Sequence, residues 1–205
     1  MRNNRRVWGL SAGAVSIIVM SYLFVDVPLA RYFQALKQEI RDPFEWITKA
    51  GVSTAYLIAS FGLFIFFRWI RKIRRLADAA LLFFSSIALS GVIINIVKFF
   101  VGRLRPKMLF EKGLYGFDPF RVGYEVNSFP SGHATTVFAL AVTCSYFFPK
   151  HRVVFFVFAA TVALSRLVLN AHYLSDVLAG ACIGTATAIV MERYIPVRSG
   201  RSSGP

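Results

Sequence analysis

Two histidines, one aspartate and three cationic residues between positions 98 and 176 have the types and spacing for chemistry on an anion. His172 and Asp176 stand four residues apart, so on a helix they return to nearly one face. A carboxylate against one ring nitrogen fixes the tautomer and leaves the other nitrogen as a nucleophile or base. The same spacing also suits a His–Asp pair that only neutralises a helix start. His133 follows Pro130-Ser131-Gly132 and opens an apolar run. That arrangement puts unpaired backbone amides at a helix N-terminus, and Gly132 lets an oxyanion come close. A histidine in that first turn can hand a proton to a leaving oxygen. Ser131 as a helix cap would use the same geometry.

Lys98, Arg105 and Arg166 add positive charge with no acid near them in sequence. A cation in apolar surroundings is costly unless something pairs with it, and a bound anion resolves that cost. The arginine fork matches tetrahedral phosphate oxygens bidentately, while Lys98 also has the reach to snorkel to an interface. The surrounding cations oppose a divalent ion, so no metal is expected here, and no cofactor motif is present.

The elements that must hold these residues read as membrane helices. Of the 205 residues, 56% are hydrophobic and 17% charged, with a mean hydropathy of +0.57. The apolar residues come in long blocks near the ~20 residues needed to cross a bilayer. Blocks at about 7–27, 52–70, 76–101, 133–148, 153–169 and 173–191 predict an all-α, polytopic bundle of six transmembrane helices. The first is read as an uncleaved span, since no small-x-small site follows it. Between Pro28 and Gly51, Leu29, Phe33, Leu36 and Ile40 recur at three- and four-residue intervals among charges, which predicts an amphipathic interfacial helix. Phe44 and Trp46 suit headgroup level. One domain over 1–195 is expected, followed by a disordered Ser/Gly-rich tail at 196–205.

The formal net charge is +14. Nucleic-acid binding is excluded because the charges punctuate apolar blocks instead of lining one soluble face. Arg2, Arg5 and Arg6, the cluster Arg68 to Arg75, Lys150 with Arg152, and Arg193, Arg198 and Arg201 mark one face as cytoplasmic, with both termini on it. Lys98 to Arg105, Pro130 to His133, and Ser165 to Asp176 then converge on the outward face. In a bacterial host this is an inner-membrane protein whose site faces the periplasm or exterior. Arg103, Lys107 and Arg121 are expected to add to the outward basic field without joining the core site. His151 reads as a surface residue, Asn95 and Asp78 as helix–helix contacts or residues near the cytoplasmic end, and Cys144 and Cys182 as small packing residues. The aromatic, Gly-rich segment Lys107 to Asn127 is expected to overhang the site. Oligomeric state is not legible, because small residues in membrane helices serve internal packing and dimer contacts alike.

Together these groups resemble the signature of the type 2 phosphatidic acid phosphatase superfamily. Lys-x6-Arg-Pro reads as Lys98 to Pro106, Pro-Ser-Gly-His as Pro130 to His133, and Ser-Arg-x5-His-x3-Asp as Ser165 to Asp176. The resemblance covers about Leu76 to Met191. It implies that His172 attacks phosphorus to form a phosphohistidine, supported by Asp176, while His133 protonates the leaving oxygen and later helps activate water. It also implies that Lys98, Arg105 and Arg166 hold the phosphoryl oxygens, with Ser131 and the amide of Gly132. The implied substrate is a phosphorylated lipid: undecaprenyl diphosphate, phosphatidylglycerol phosphate, phosphatidic acid or a lipid A phosphate. Transfer of the phosphoryl group to an acceptor lipid would use the same motif. A non-enzymatic transporter or lipid-binding protein would use the basic residues but not a titratable nucleophile and acid.

Overall fold

The protein is described by a computed structural model covering residues 2–197, which is all-helical, with no strand among the described residues. The first span is α1 (Arg2–Met20), a π-helical turn (Ser21–Val25) and α2 (Asp26–Gln34), running as one rod. Then come α3 (Gln38–Ile47), a 3-10 turn (Thr48–Gly51), and α4 (Ser53–Ile65), which ends in a second π-helical turn (Phe66–Ile70). The long α5 (Arg74–Val101) leads to the short α6 (Pro106–Lys112), and α7 (Gly132–Phe147), α8 (Arg152–Val168) and α9 (Leu174–Tyr194) complete the bundle.

Five stretches among the described residues are long and apolar enough to cross a membrane: Ser11–Gln34, Gln38–Ile70, Arg74–Val101, Pro149–Val168 and Leu174–Tyr194. The chain is an integral membrane protein. The remaining expected span is α7, whose 16 residues make a rod of about 24 Å. It is the helix at the centre, packed on α5, α8 and α9. The exterior is apolar, with Ile17, Phe24, Ile58, Val92, Phe100 and Val153 all exposed, as suits a surface solvated by lipid tails. The interior sets small residues among branched ones: Ala134, Ala139, Ala159, Ala163 and Ala188 are buried beside Leu82, Ile87, Val137, Val162 and Leu167. Without a hydrophobic drive between helices in lipid, association depends on close approach, and small residues permit it. Gly180 and Gly184, one turn apart on α9, lie so near the α7 backbone that a Cβ on either would collide with the Ser131 or Thr135 carbonyl.

The interfacial helix expected between Pro28 and Gly51 does not form as one element. Residues through Gln34 prolong the first span, so that Leu29 and Phe33 pack on the buried cluster of Ala134, Ala163, Leu167 and Val177. Pro28 has no N–H for the preceding turn, and the π-helical turn just before it absorbs that loss of register. The chain then breaks at Lys37, which is extended, and restarts as α3 against α8. Trp46 is exposed, with the Lys49 ammonium 3.5 Å from its ring centre.

Of the expected tail, Val197 is buried and its carbonyl accepts a hydrogen bond from Tyr146 Oη at 3.1 Å, while residues 198–205 lie outside the described residues. Cys144 and Cys182 are free thiols.

Candidate active site

The turn between α8 and α9 sets the position of His172. Asn170 takes the left-handed conformation, φ 51°, which asparagine tolerates better than most residues. The amides of Ala171 and His172 both donate back to the Arg166 carbonyl, at 3.0 and 3.2 Å. The chain therefore reverses tightly and drives the His172 ring inward, to 4% exposure. Nδ1 lies 2.8 Å from the Ser128 carbonyl oxygen. A carbonyl only accepts, so Nδ1 carries the proton and Nε2 carries the lone pair. Burial, helped by Arg105 and Arg166 and opposed by Asp176, pushes the imidazole down to about 3, so the ring is neutral.

Asp176 is fully buried in the first turn of α9. The reach expected from the four-residue spacing is there, but at 3.7 Å between Nδ1 and Oδ2 the carboxylate is not the group that fixes the tautomer. Its Oδ2 instead accepts from Ser128 Oγ at 2.6 Å and from the Tyr173 amide at 2.8 Å. Asp176 thus holds Ser128, whose carbonyl holds the histidine. Its backbone carbonyl also accepts from the Ser131 amide at 2.9 Å, tying α9 to the start of α7.

Arg103 corrects the expectation that it belongs to an outward basic field. It is 1% exposed and spans two carboxylates: Nη1 lies 2.5 Å from Asp176 Oδ1, and Nη2 lies 2.7 Å from Asp26 Oδ2. Asp26 also accepts from the Ser175 amide and hydroxyl. The Tyr22 and Tyr173 rings flank the guanidinium at 4.9 and 4.5 Å, and Tyr115 Oη accepts from Nη2. Burial works against the charge on Arg103, but Asp176 and Asp26 outweigh it and hold its pKa above the ordinary value. The misplacement arose because its partner Asp26 sits in the first apolar block, far off in sequence. An acid inside an apolar span was itself the available signal.

Lys98, Arg105 and Arg166 form no ion pair among the described residues. Lys98 Nζ donates to the Asn127 carbonyl at 2.7 Å, and Arg105 Nη2 shares that acceptor at 3.3 Å. Arg105 further donates to the Tyr124 and Ala171 carbonyls, with the Tyr124 ring 3.9 Å from its guanidinium carbon. Burial lowers the Arg105 pKa. Arg166 donates to Thr48 Oγ1 at 2.5 Å and leaves its Nε without a partner.

Gly132 opens α7, where no preceding turn supplies acceptors for the first amides. Ser131 makes no cap bond, and its buried hydroxyl has no partner. A Cβ on Gly51 would come within 2.5–2.9 Å of the His133 side chain, so only glycine lets this ring lie where it does. Thr48 and Gly51, in the turn between α3 and α4, were not singled out in the sequence, where neither has a chemical signature. The Lys107–Asn127 segment divides in two. Its far end supplies the Tyr124 and Asn127 carbonyls, while Lys107 and Arg121 sit at the surface beside Glu111 and Asp118.

Charge without carboxylates, gathered beside two histidines at one end of a lipid-facing bundle, suits work on a lipid-borne anion. Residues 79–199 match the PAP2 superfamily, and the chain belongs to it. It is a membrane lipid phosphatase of that type. It is 31% identical to a lipid A 1-phosphatase of Rhizobium johnstonii over 194 residues, 87% of this chain and 78% of the relative. A lipid A 1-phosphatase of Rhizobium etli is 39% identical over 114 residues, 54% of this chain and 49% of that one. Among solved structures, Aquifex aeolicus LpxE is similar with a TM-score of 0.61 and 25% identity, over 83% of this chain and 96% of that one. A transmembrane phosphatidylglycerolphosphate phosphatase from Bacillus subtilis shares the fold, with a TM-score of 0.61 at 18% identity, over 93% and 98% of the two chains.

Proposed function

We propose that this protein removes a phosphate from lipid A through a phosphohistidine on His172, with the reaction at the periplasmic face of the inner membrane. The observation that carries the mechanism is the bond from His172 Nδ1–H to the Ser128 carbonyl, which leaves Nε2 as the free nucleophile. The substrate class rests on the relatedness to lipid A 1-phosphatases over most of the chain.

In the step proposed, Nε2 forms a bond to phosphorus while the bond from phosphorus to the leaving oxygen breaks, its electron pair going to that oxygen. His133, protonated once the phosphate dianion is bound beside it, supplies the proton and becomes neutral, and the ring of His172 becomes a phosphorylated imidazolium. Lys98, Arg105 and Arg166, with the Ser131 hydroxyl and the Gly132 amide, hold the phosphoryl oxygens. Water then attacks phosphorus as the bond from phosphorus to Nε2 breaks, its electron pair returning to Nε2; His133 takes the water's proton, and inorganic phosphate leaves.

Two cavities support a lipid substrate. One of about 640 Å3, lined by Leu57, Ile87, Val92 and Ile94, has His133 in its wall, as a hydrocarbon chain beside the leaving oxygen requires. Another of about 310 Å3, lined by Arg41, Arg105, Lys107 and Asn170, has room for a polar headgroup beyond the reacting phosphate. Six crossings, with α7 the short central one, keep both termini on the cytoplasmic side and 1–195 as one domain.

The test is phosphate release from lipid A, phosphatidylglycerol phosphate, phosphatidic acid and undecaprenyl diphosphate in detergent, with EDTA present. Release fastest from lipid A, and lower by at least ~10³-fold in His172→Ala, is expected. Preference for another lipid would overturn the substrate, and activity surviving in His172→Ala would overturn the mechanism.

A further inference from the structure

We infer that Asp26, on the first span and outside the matched family region, is a positioning residue that acts on His172 through Arg103 and Asp176. The inference rests on His172 as the nucleophile. Asp26 is 1% exposed in a span whose neighbours Leu23, Phe24 and Val25 face outward. The π-helical turn Ser21–Val25 immediately precedes it. Such turns re-aim side chains within a helix, and here Tyr22 lies over the Arg103 guanidinium while Asp26 meets its far nitrogen.

The charges give this contact its consequence. When Nε2 bonds to phosphorus, positive charge develops on the His172 ring. Asp176, with Oδ2 3.7 Å from Nδ1, is the carboxylate that faces it. Lys98, Arg105 and Arg166 oppose that charge. Asp176 is bound directly to a cation, Arg103, so the pair alone would offer the ring little net field. Asp26 pairs with the same guanidinium. With two carboxylates on one arginine the buried group carries a formal −1, which restores the countercharge next to the ring. Asp26 also holds the Ser175 amide and hydroxyl, fixing the α9 turn that carries Asp176.

The test is a double-mutant cycle in the full-length protein, reading kcat and KM for lipid A and for phosphatidic acid in micelles. Asp26→Asn, which keeps the size and removes the charge, should lower kcat about tenfold and leave KM within about twofold. In an Asp176→Asn background the same change should alter kcat by less than about twofold, because its route to the ring is gone. Equal losses in both backgrounds, or a loss carried by KM, would make Asp26 merely structural and overturn the inference. If Asp26→Asn does not fold, Asp26→Glu and Asp26→Gln repeat the charge comparison at matched size, and a Gln variant as fast as Glu overturns it. Activity in His172→Ala would instead sink the nucleophile assignment, so the two failures are told apart.

Discussion

Arg103 and Arg105 leave the same short loop with one residue between them, yet they meet opposite surroundings. Arg103 lies between two buried carboxylates and is held above its ordinary pKa. Arg105 meets the carbonyls of Tyr124, Ala171 and Asn127 and the face of the Tyr124 ring, but no carboxylate, and burial holds its pKa down. A carbonyl offers a partial charge where a carboxylate offers a whole one. The first arginine is therefore paired within the fold, while the second is left without a carboxylate. The comparison separates a cation paired within the fold from one left for the phosphoryl group on the function proposed above, a distinction that residue type and spacing do not reveal.

Replacing each arginine by alanine breaks the comparison most sharply. Arg105→Ala should cost kcat/KM a factor of about 10²–10³ while leaving the detergent melting temperature nearly unchanged. Millimolar inorganic phosphate should raise the melting temperature of the wild type but not of this variant. Arg103→Ala leaves two buried carboxylates facing each other and should cost about 3–5 kcal/mol of stability, seen as loss of folded protein on size exclusion. Equal melting temperatures for the two variants would erase the distinction.

A smaller effect tests the turn between α3 and α4, whose Thr48 bonds Arg166. Gly51→Ala puts a methyl group against the His133 side chain and should lower kcat about tenfold by displacing that ring, with little change in melting. Unchanged turnover would mean that His133 moves into place only with substrate.

The smallest effect concerns pH. His172 is neutral in the fold, lowered from 6.5 to about 3. Its contribution to stability is thus full above pH 6.5 and is lost as pH falls toward 3, because the unfolded chain takes up the proton first. The slope from this group is at most about 1.4 kcal/mol per pH unit. Ring 15N shifts in the substrate-free protein should remain those of the Nδ1–H tautomer at pH 5, and titration near 6.5 would contradict the buried geometry.

Much of the site was legible from local arrangement. Asp176 in the first turn of α9 lies 3.7 Å from His172 just before that helix, and Ser131, Gly132 and His133 open α7 as their order suggested. Hydropathy alone separated the lipid-facing helices and brought three distant motifs toward one end. The periodicity of Leu29 and Phe33 that predicts an interfacial helix belongs instead to the inner face of a lengthened first span, and the rest of that segment forms α3.

The sequence by itself determined the class of protein, its all-helical membrane character and the candidate residues proposed to react, because apolar run length and short-range spacing are properties of consecutive residues. Only the tertiary structure decided that Ser128 and not Asp176 sets the His172 tautomer, that Arg103 is a structural cation, and that Asp26, Thr48 and Gly51 reach the site. Each of those facts depends on which groups meet within a few ångströms across the bundle. In a membrane interior, where water satisfies no stray charge, those meetings settle which charges remain free to act.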